Sequence, residues 1–182
     1  YYFKGGINNI MDNLKKFVAE SDNIVFFGGA GVSTESNIPD FRSGTGLYKT
    51  KTKGSFPPEV MLSHSFFVKH PEEFYEFYRT KMIYRDAKPN PAHIALAELE
   101  RQGKLQATIT QNIDGLHQAA GSKNVLELHG SVHRNYCMQC GEEYDLDYVM
   151  EGSQGVPKCT KCGGIVKPDV VLYGESLDMD TL

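Results

Sequence analysis

Ile10, Leu14, Phe17 and Val18 recur at the three- and four-residue spacing of one helical face, which predicts an amphipathic helix just after the opening YYFKGG. The opening residues fall outside that pattern, so residues 1–10 are set apart as an upstream or vector-derived segment. Ile24 to Phe27 is a run of β-branched and aromatic residues ending at glycine, as in a short strand buried on both faces. Pro71 to Arg85 carries aromatic and charged residues at helical spacing. Asn90-Pro91 then supplies an N-cap followed by proline at the first helical position, and that helix runs to about Gln102 before stopping at Gly103.

Three more β-rich runs follow, Ala107 to Thr110, Val125 to Leu128 and Val170 to Tyr173, separated by turn signals or helical pattern. Strands alternating with helices predict an α/β fold on a mainly parallel sheet. One compositional shift interrupts it: Tyr136 to Gly164 holds every cysteine. The expected organisation is a Rossmann-like domain over 11–135 and 165–182, with a helical insertion over about 44–90 and a small module over 136–164.

Composition changes this picture little. The chain has 182 residues, 40% hydrophobic and 23% charged, as expected of a soluble globular protein. No run approaches the roughly 20 apolar residues that span a bilayer, and no signal peptide is visible, so a cytoplasmic location with no membrane partner is expected. A net charge of -4 gives no strong nucleic-acid signal.

Cys137-Met-Gln-Cys140 and Cys159-Thr-Lys-Cys162 form two C-x-x-C pairs separated by eighteen residues, each followed by glycine, at Gly141 and Gly163. This spacing suits four thiolates around one tetrahedral zinc. Two disulfides or a redox C-x-x-C are the alternatives; a cytosolic chain disfavours the first and the pairing disfavours the second. Four thiolates leave no open position for water, so the zinc is expected to be structural.

The run Ile24 to Ser43 reads at first as the start of a dinucleotide site, with Gly29-Ala30-Gly31 after a strand but Thr34 in place of a third glycine. Three later segments stand with it: Thr110-Gln111-Asn112-Ile113-Asp114-Gly115-Leu116-His117, Leu128-His129-Gly130, and Val170-Val171-Leu172-Tyr173-Gly174-Glu175. Together with Gly29-Ala30-Gly31-Val32-Ser33 and Pro39-Asp40-Phe41-Arg42-Ser43, in this order around a four-cysteine ribbon, they resemble the sirtuins, NAD-dependent protein-lysine deacylases, from about Met11 onward.

The resemblance implies a doubly wound Rossmann-like sheet with a zinc ribbon, NAD as co-substrate, and acetyl-lysine proteins or peptides as partners. It implies that Gly29, Ala30 and Gly31 admit the NAD pyrophosphate, that Thr34 lines the cofactor site, and that Phe41 and Arg42 sit in a cofactor-binding loop. Gln111, Asn112, Ile113 and Asp114 would hold the nicotinamide and ribose, with Asn112 and His129 catalytic and His129 the general base on a ribose hydroxyl. Val171, Tyr173, Gly174 and Glu175 would bind the substrate. His64, His70, His93 and His133 keep structural readings.

Two departures from the family pattern stand out, Gly28 where threonine is common and Asn37 where glycine is common; Asn37 is expected to accept a positive φ. The family continues beyond Tyr173-Gly174-Glu175 with adenosine-binding turns, so the sheet is expected to be partial in this chain, which ends at Leu182. Two rival functions follow: a truncated, catalytically weak or inactive acyl-lysine- and NAD-binding fragment, and an NAD-dependent ADP-ribosyltransferase. Members that remove acidic acyl groups resemble one another in a Tyr-x-x-Arg pair. Here Tyr75 is followed by Tyr78, with Arg79 one position further and about 100° around the helix, so neutral acyl groups are expected.

Overall fold

A computed structural model describes residues 7–40, 56–151, 155–179 and 181. The first helix, α1 (Ile7–Glu20), begins inside the segment set apart as 1–10. Strand β1 (Ile24–Gly28) pairs in parallel with β2 (Leu105–Thr110), and β2 with β3 (Val125–Glu127), giving the sheet order β1-β2-β3. Between β1 and β2 lie the short helices α2 (Pro58–Met61) and α3 (His64–Lys69), then α4 (Pro71–Lys81) and α5 (Pro91–Arg101).

The α5 start follows the sequence expectation and adds to it. Asn90 accepts a hydrogen bond from Ala92 N at 2.9 Å, while the His93 Nδ1 accepts one from Asn90 N at 3.2 Å. This reciprocal box satisfies two donors that a helix start leaves orphaned. In α4, Glu72 and Glu73 stand in the first turn and Arg79 and Lys81 in the last, each sign complementing the helix dipole.

The fourth apolar run is placed differently from expectation. The strand there is β6 (Val166–Val170), and it joins an antiparallel sheet of order β5-β4-β6 with β4 (Gly130–Cys137) and β5 (Glu143–Tyr144). Beyond β6, Tyr173 makes an isolated parallel bridge to Ser63. The partner decides this: β4 emerges from the His129 segment beside Val170, and Gly130 pairs with it. Gly130 has φ +76, and a Cβ there would lie 1.9 Å from the Asp169 carbonyl oxygen, so the crossing requires glycine.

A cluster of buried apolar side chains lies between helices α2 to α4 and this antiparallel sheet. Phe66, Phe67, Phe74, Tyr75, Phe77 and Tyr78 pack there against Val132, Val149 from α7 (Leu146–Glu151), Val166 and Leu172. Phe67 and Phe74 meet edge to face, with centroids 4.9 Å apart. By contrast Val25 and Phe27 of β1 are exposed, as are Ile10, Leu14 and Phe17 of α1. The strand expected to be buried on both faces thus has no described residue covering one of them. No helix among the described residues is long and apolar enough to cross a membrane.

Candidate active site

All three parallel strands deliver their C-terminal ends to one place, where open α/β sheets bind ligands. After β1, Gly29 leads into a 3₁₀ helix over Ala30–Ser36 in place of the α-helical start that a phosphate-binding turn usually opens. Gln111 N donates to Gly28 O at 3.0 Å, and Leu128 N to Thr110 O at 3.0 Å, so the segment leaving β2 is laid against the start of the glycine turn and the segment leaving β3 against the end of β2. Asn37 ends the 3₁₀ helix at φ 63, the left-handed conformation expected of it.

Ser33 stands at the centre of this junction. Its hydroxyl donates to Asp114 Oδ2 at 2.7 Å and accepts from Asn112 Nδ2 at 3.0 Å. The other Asp114 oxygen accepts from Leu116 N at 2.9 Å, capping the short helix α6 (Leu116–Ala119). Asn112 and Asp114 are therefore held through Ser33, the buried last residue of the Gly29-Ala30-Gly31-Val32-Ser33 motif.

A cavity of about 700 Å³ opens here. It is lined by Ala30, Gly31, Gln111, Asn112, Ile113, Asp114 and His129 on one side and by Val171, Tyr173, Gly174 and Glu175 on the other. Gly29 lies behind it, against the Gln111 side chain. Thr34 is not brought to this cavity; it is exposed on a shallower cleft with Phe26 and Asn90, its hydroxyl donating to Gly31 O at 2.9 Å. Phe41 and Arg42 lie outside the described residues. Pro39 and Asp40, from the motif that leads to Phe41 and Arg42, also line it, as do Ile38 and the stretch from Lys81 to Arg85, which were not among the sequence candidates.

His129 is half-buried, with Nδ1 2.9 Å from Gln111 O. A carbonyl only accepts, so the neutral ring carries its proton on Nδ1 and leaves the Nε2 lone pair free. Val171 N donates to His129 O at 3.0 Å, tying the two walls together. Arg134 fixes the segment from below, its guanidinium reaching Glu127 Oε2 at 2.7 Å and Asp169 Oδ2 at 2.8 Å, across the two sheets.

Beneath the site lie two fully buried imidazoles, His93 and His117, with ring centroids 4.7 Å apart. Burial lowers both pKa values, and for His117 the neighbouring His93 lowers it further, while Asp114 pulls each the other way. His93 keeps the structural role expected of it; His133, by contrast, lines the cavity, its Nε2 3.2 Å from Asp114 O.

The four cysteine sulfurs lie within 4.8 Å of one another. Sγ separations are 3.4 Å for Cys137–Cys162, 3.6 Å for Cys140–Cys159 and 3.4 Å for Cys140–Cys162. Four thiolates about 2.3 Å from a tetrahedral zinc stand roughly 3.8 Å apart, whereas a disulfide requires about 2.05 Å. The set fits one structural zinc. Gly141 and Gly163 take φ of +71 and +77, turning each knuckle back on itself. Backbone amides of Gln139 and Lys161 point at Cys137 and Cys159 sulfurs, and the Tyr144 hydroxyl donates to Cys159 Sγ at 3.1 Å.

The model of the Sir2 family matches residues 29–182. An NAD-dependent protein deacetylase of Clostridium acetobutylicum is 71% identical over 168 residues, 92% of this chain and 69% of that protein. One of Clostridium tetani is 68% identical over 170 residues, again 69% of its length. Among solved structures, one concerned with the structural basis of sirtuin substrate affinity superposes with a TM-score of 0.83 at 42% identity, covering 94% of this chain and 69% of that one. A Sir2 complex with a p53 peptide and NAD+ superposes with a TM-score of 0.79 at 42% identity, covering 94% and 68%. With glycine turn, Asn112–Asp114 segment, His129 and four-cysteine ribbon all inside the matched span, the chain belongs to the Sir2 family.

Proposed function

We propose that this protein is an NAD-dependent protein-lysine deacetylase, converting NAD and an acetyl-lysine peptide to nicotinamide, free lysine and O-acetyl-ADP-ribose. NAD and the acetylated peptide are both substrates. The observation that carries the reading is His129, whose Nδ1 is held by a backbone carbonyl so that a basic Nε2 is available at the edge of a cavity shared with Asn112 and Asp114.

Loss of nicotinamide leaves positive character on the ribose carbon, and the acetyl oxygen must attack there before water does. Asn112 and Asp114, fixed by Ser33, orient the nicotinamide-bearing end. Ile38, Ile113, Val132 and Leu172 give the cavity apolar walls that exclude water. The attack yields an alkylimidate; His129 then accepts a proton from a ribose hydroxyl, whose oxygen adds to the imidate carbon. Collapse with water releases the amine and leaves the acetyl group on ribose. Zinc, when bound, closes the ribbon and takes no part in these steps.

The test is turnover by the full-length protein with NAD and an acetyl-lysine peptide, read by mass spectrometry. Equal amounts of nicotinamide, deacetylated peptide and O-acetyl-ADP-ribose are expected, and His129→Ala should abolish them while NAD binding and zinc content persist. ADP-ribose found on protein would support the transferase alternative. NAD binding without turnover would support a binding module.

A further inference from the structure

The Glu175 carboxylate, placed by sequence among the substrate-binding residues, is occupied within the protein. Oε2 accepts from Leu172 N at 2.9 Å and from Lys167 Nζ at 3.1 Å, while Oε1 lies 2.7 Å from His64 Nδ1. Burial pushes the Glu175 carboxyl up, but the Leu172 amide, His64 and Lys167 together bring it below its ordinary value.

Lys167 is only 4% exposed. Its ammonium also donates to Pro168 O at 3.2 Å and Val170 O at 3.0 Å, so three donors meet three acceptors. A buried ammonium costs several kcal/mol to desolvate, and well-packed apolar groups in place of such a pair are often as stable. Stability alone therefore does not account for the pair, and its location is informative. It sits at the exit of β6, where the chain becomes the cavity wall formed by Val171, Tyr173, Gly174 and Glu175.

That wall is held at three points. Val171 N donates to His129 O at 3.0 Å; Tyr173 N donates to Leu62 O and His64 N to Tyr173 O, each at 3.0 Å; and Glu175 N returns to Leu172 O at 2.9 Å. The Glu175 side chain closes the same Leu172–Glu175 turn a second time through Leu172 N. Lys167 and His64 then fix that side chain from β6 and from the start of α3.

We propose that Lys167 and Glu175, with His64 as outer partner, form a positioning device that sets the shape of the 171–175 wall and so the affinity for the acyl-lysine peptide. Glu175 acts without touching substrate. This rests on the deacetylase reading above, because the peptide is the ligand whose affinity is read.

The test uses the full-length protein with Glu175→Gln, Lys167→Met and both together. Each single change is expected to raise the peptide KM on the order of tenfold, more than it lowers kcat, with NAD affinity and zinc content retained. The double variant should be no worse than the singles, because residues acting as one unit are non-additive. An unchanged KM, multiplying effects in the double variant, or an equal loss of NAD affinity would overturn the proposal. Should the buried substitutions unfold the protein, His64→Gln at the half-exposed end provides the reading: a KM rise of about two- to threefold supports the device, and none overturns it. If the wild type shows no turnover, the deacetylase reading fails. The device is then judged by amide exchange at Leu172 and Tyr173, faster in Lys167→Met if the pair sets the wall and unchanged if it does not.

Discussion

Ser33 and Asp114 lie 81 positions apart in the chain, yet the serine hydroxyl donates to Asp114 Oδ2 at 2.7 Å. Ser33 Oγ in turn accepts from Asn112 Nδ2 at 3.0 Å, so one buried hydroxyl joins the turn after β1 to the turn after β2. The hydroxyl gives its one proton to Asp114 and receives one from Asn112, which fixes both side chains relative to the glycine turn.

Ser33→Ala removes that joint and leaves Asp114 still capping Leu116. A hydrogen bond to a charged group contributes about 1.5–3 kcal/mol, so kcat/KM should fall roughly ten- to a hundredfold if the joint acts in orienting substrate. Steady-state kinetics beside a melting curve separate the two possible losses. A large fall in melting temperature with normal kinetics would make Ser33 a structural residue only.

The Ser33 contact also marks where sequence reasoning ends. Features closed within a few residues were legible: the Asn90-Pro91 cap, the left-handed Asn37 and the two cysteine knuckles each follow from local chemistry. Features that depend on a distant partner were not. The run near Val170 has the right residues for a parallel strand, but its partner is β4, in the antiparallel sense. Thr34 has a suitable position in the motif, yet the 3₁₀ turn rotates it out of the cavity. Glu175 is placed among the substrate-binding residues in sequence, because Lys167 and His64 become its neighbours only after folding.

Acid should destabilise the fold through His93 and His117. Both are fully buried, and burial holds both pKa values below the ordinary histidine value. The unfolded chain therefore binds more protons than the native state as pH drops below about 6.5. The stability associated with the neutral rings is present above that pH and is lost as pH falls toward the native pKa values. Melting temperatures from pH 7.5 to 5 should decline, and His117→Phe should flatten the decline. Parallel curves for variant and wild type would exclude the pair as the source.

Zinc retention should depend on Tyr144 as well as on the four ligands. The hydroxyl is fixed by accepting from Thr160 N at 2.9 Å while donating to Cys159 Sγ at 3.1 Å. Such outer partners steady a ligand, and their loss typically lowers metal affinity about 10–100-fold. Tyr144→Phe should release zinc faster to a chromogenic chelator without lowering the initial stoichiometry of one ion per chain. Cys162→Ser should lose the ion and unfold the ribbon, since binding and folding are coupled there. A zinc-free wild type purified without chelator would refute both expectations.

Acyl selectivity turns on which face of α4 meets the cavity. From sequence, Tyr75 and Tyr78 take the places of the Tyr-x-x-Arg pair, with Arg79 turned about 100° off that face. Tyr75 is fully buried with its hydroxyl on Val166 O, and Arg79 donates to Val149 O at 2.9 Å with its guanidinium 5.1 Å from the Tyr75 ring centroid. The α4 residues that line the cavity are Tyr78 and Lys81, one turn apart, followed by Arg85, whose guanidinium pairs with Asp147. Arg79 is thus turned away from the cavity, and the lysine and arginine on its lining are Lys81 and Arg85, the latter already taken by Asp147. Lys81 is half-buried at the last helical turn, and an ammonium on a flexible stem is strongly hydrated and lacks the planar fork that grips a carboxylate twice. A succinyl carboxylate entering here would lose water without a matched partner, which is costly. Acetyl-lysine should accordingly be turned over with a higher kcat/KM than succinyl-lysine in the same peptide. A succinyl preference that disappears in Lys81→Ala would show that the ammonium reaches the channel and would reverse this assignment.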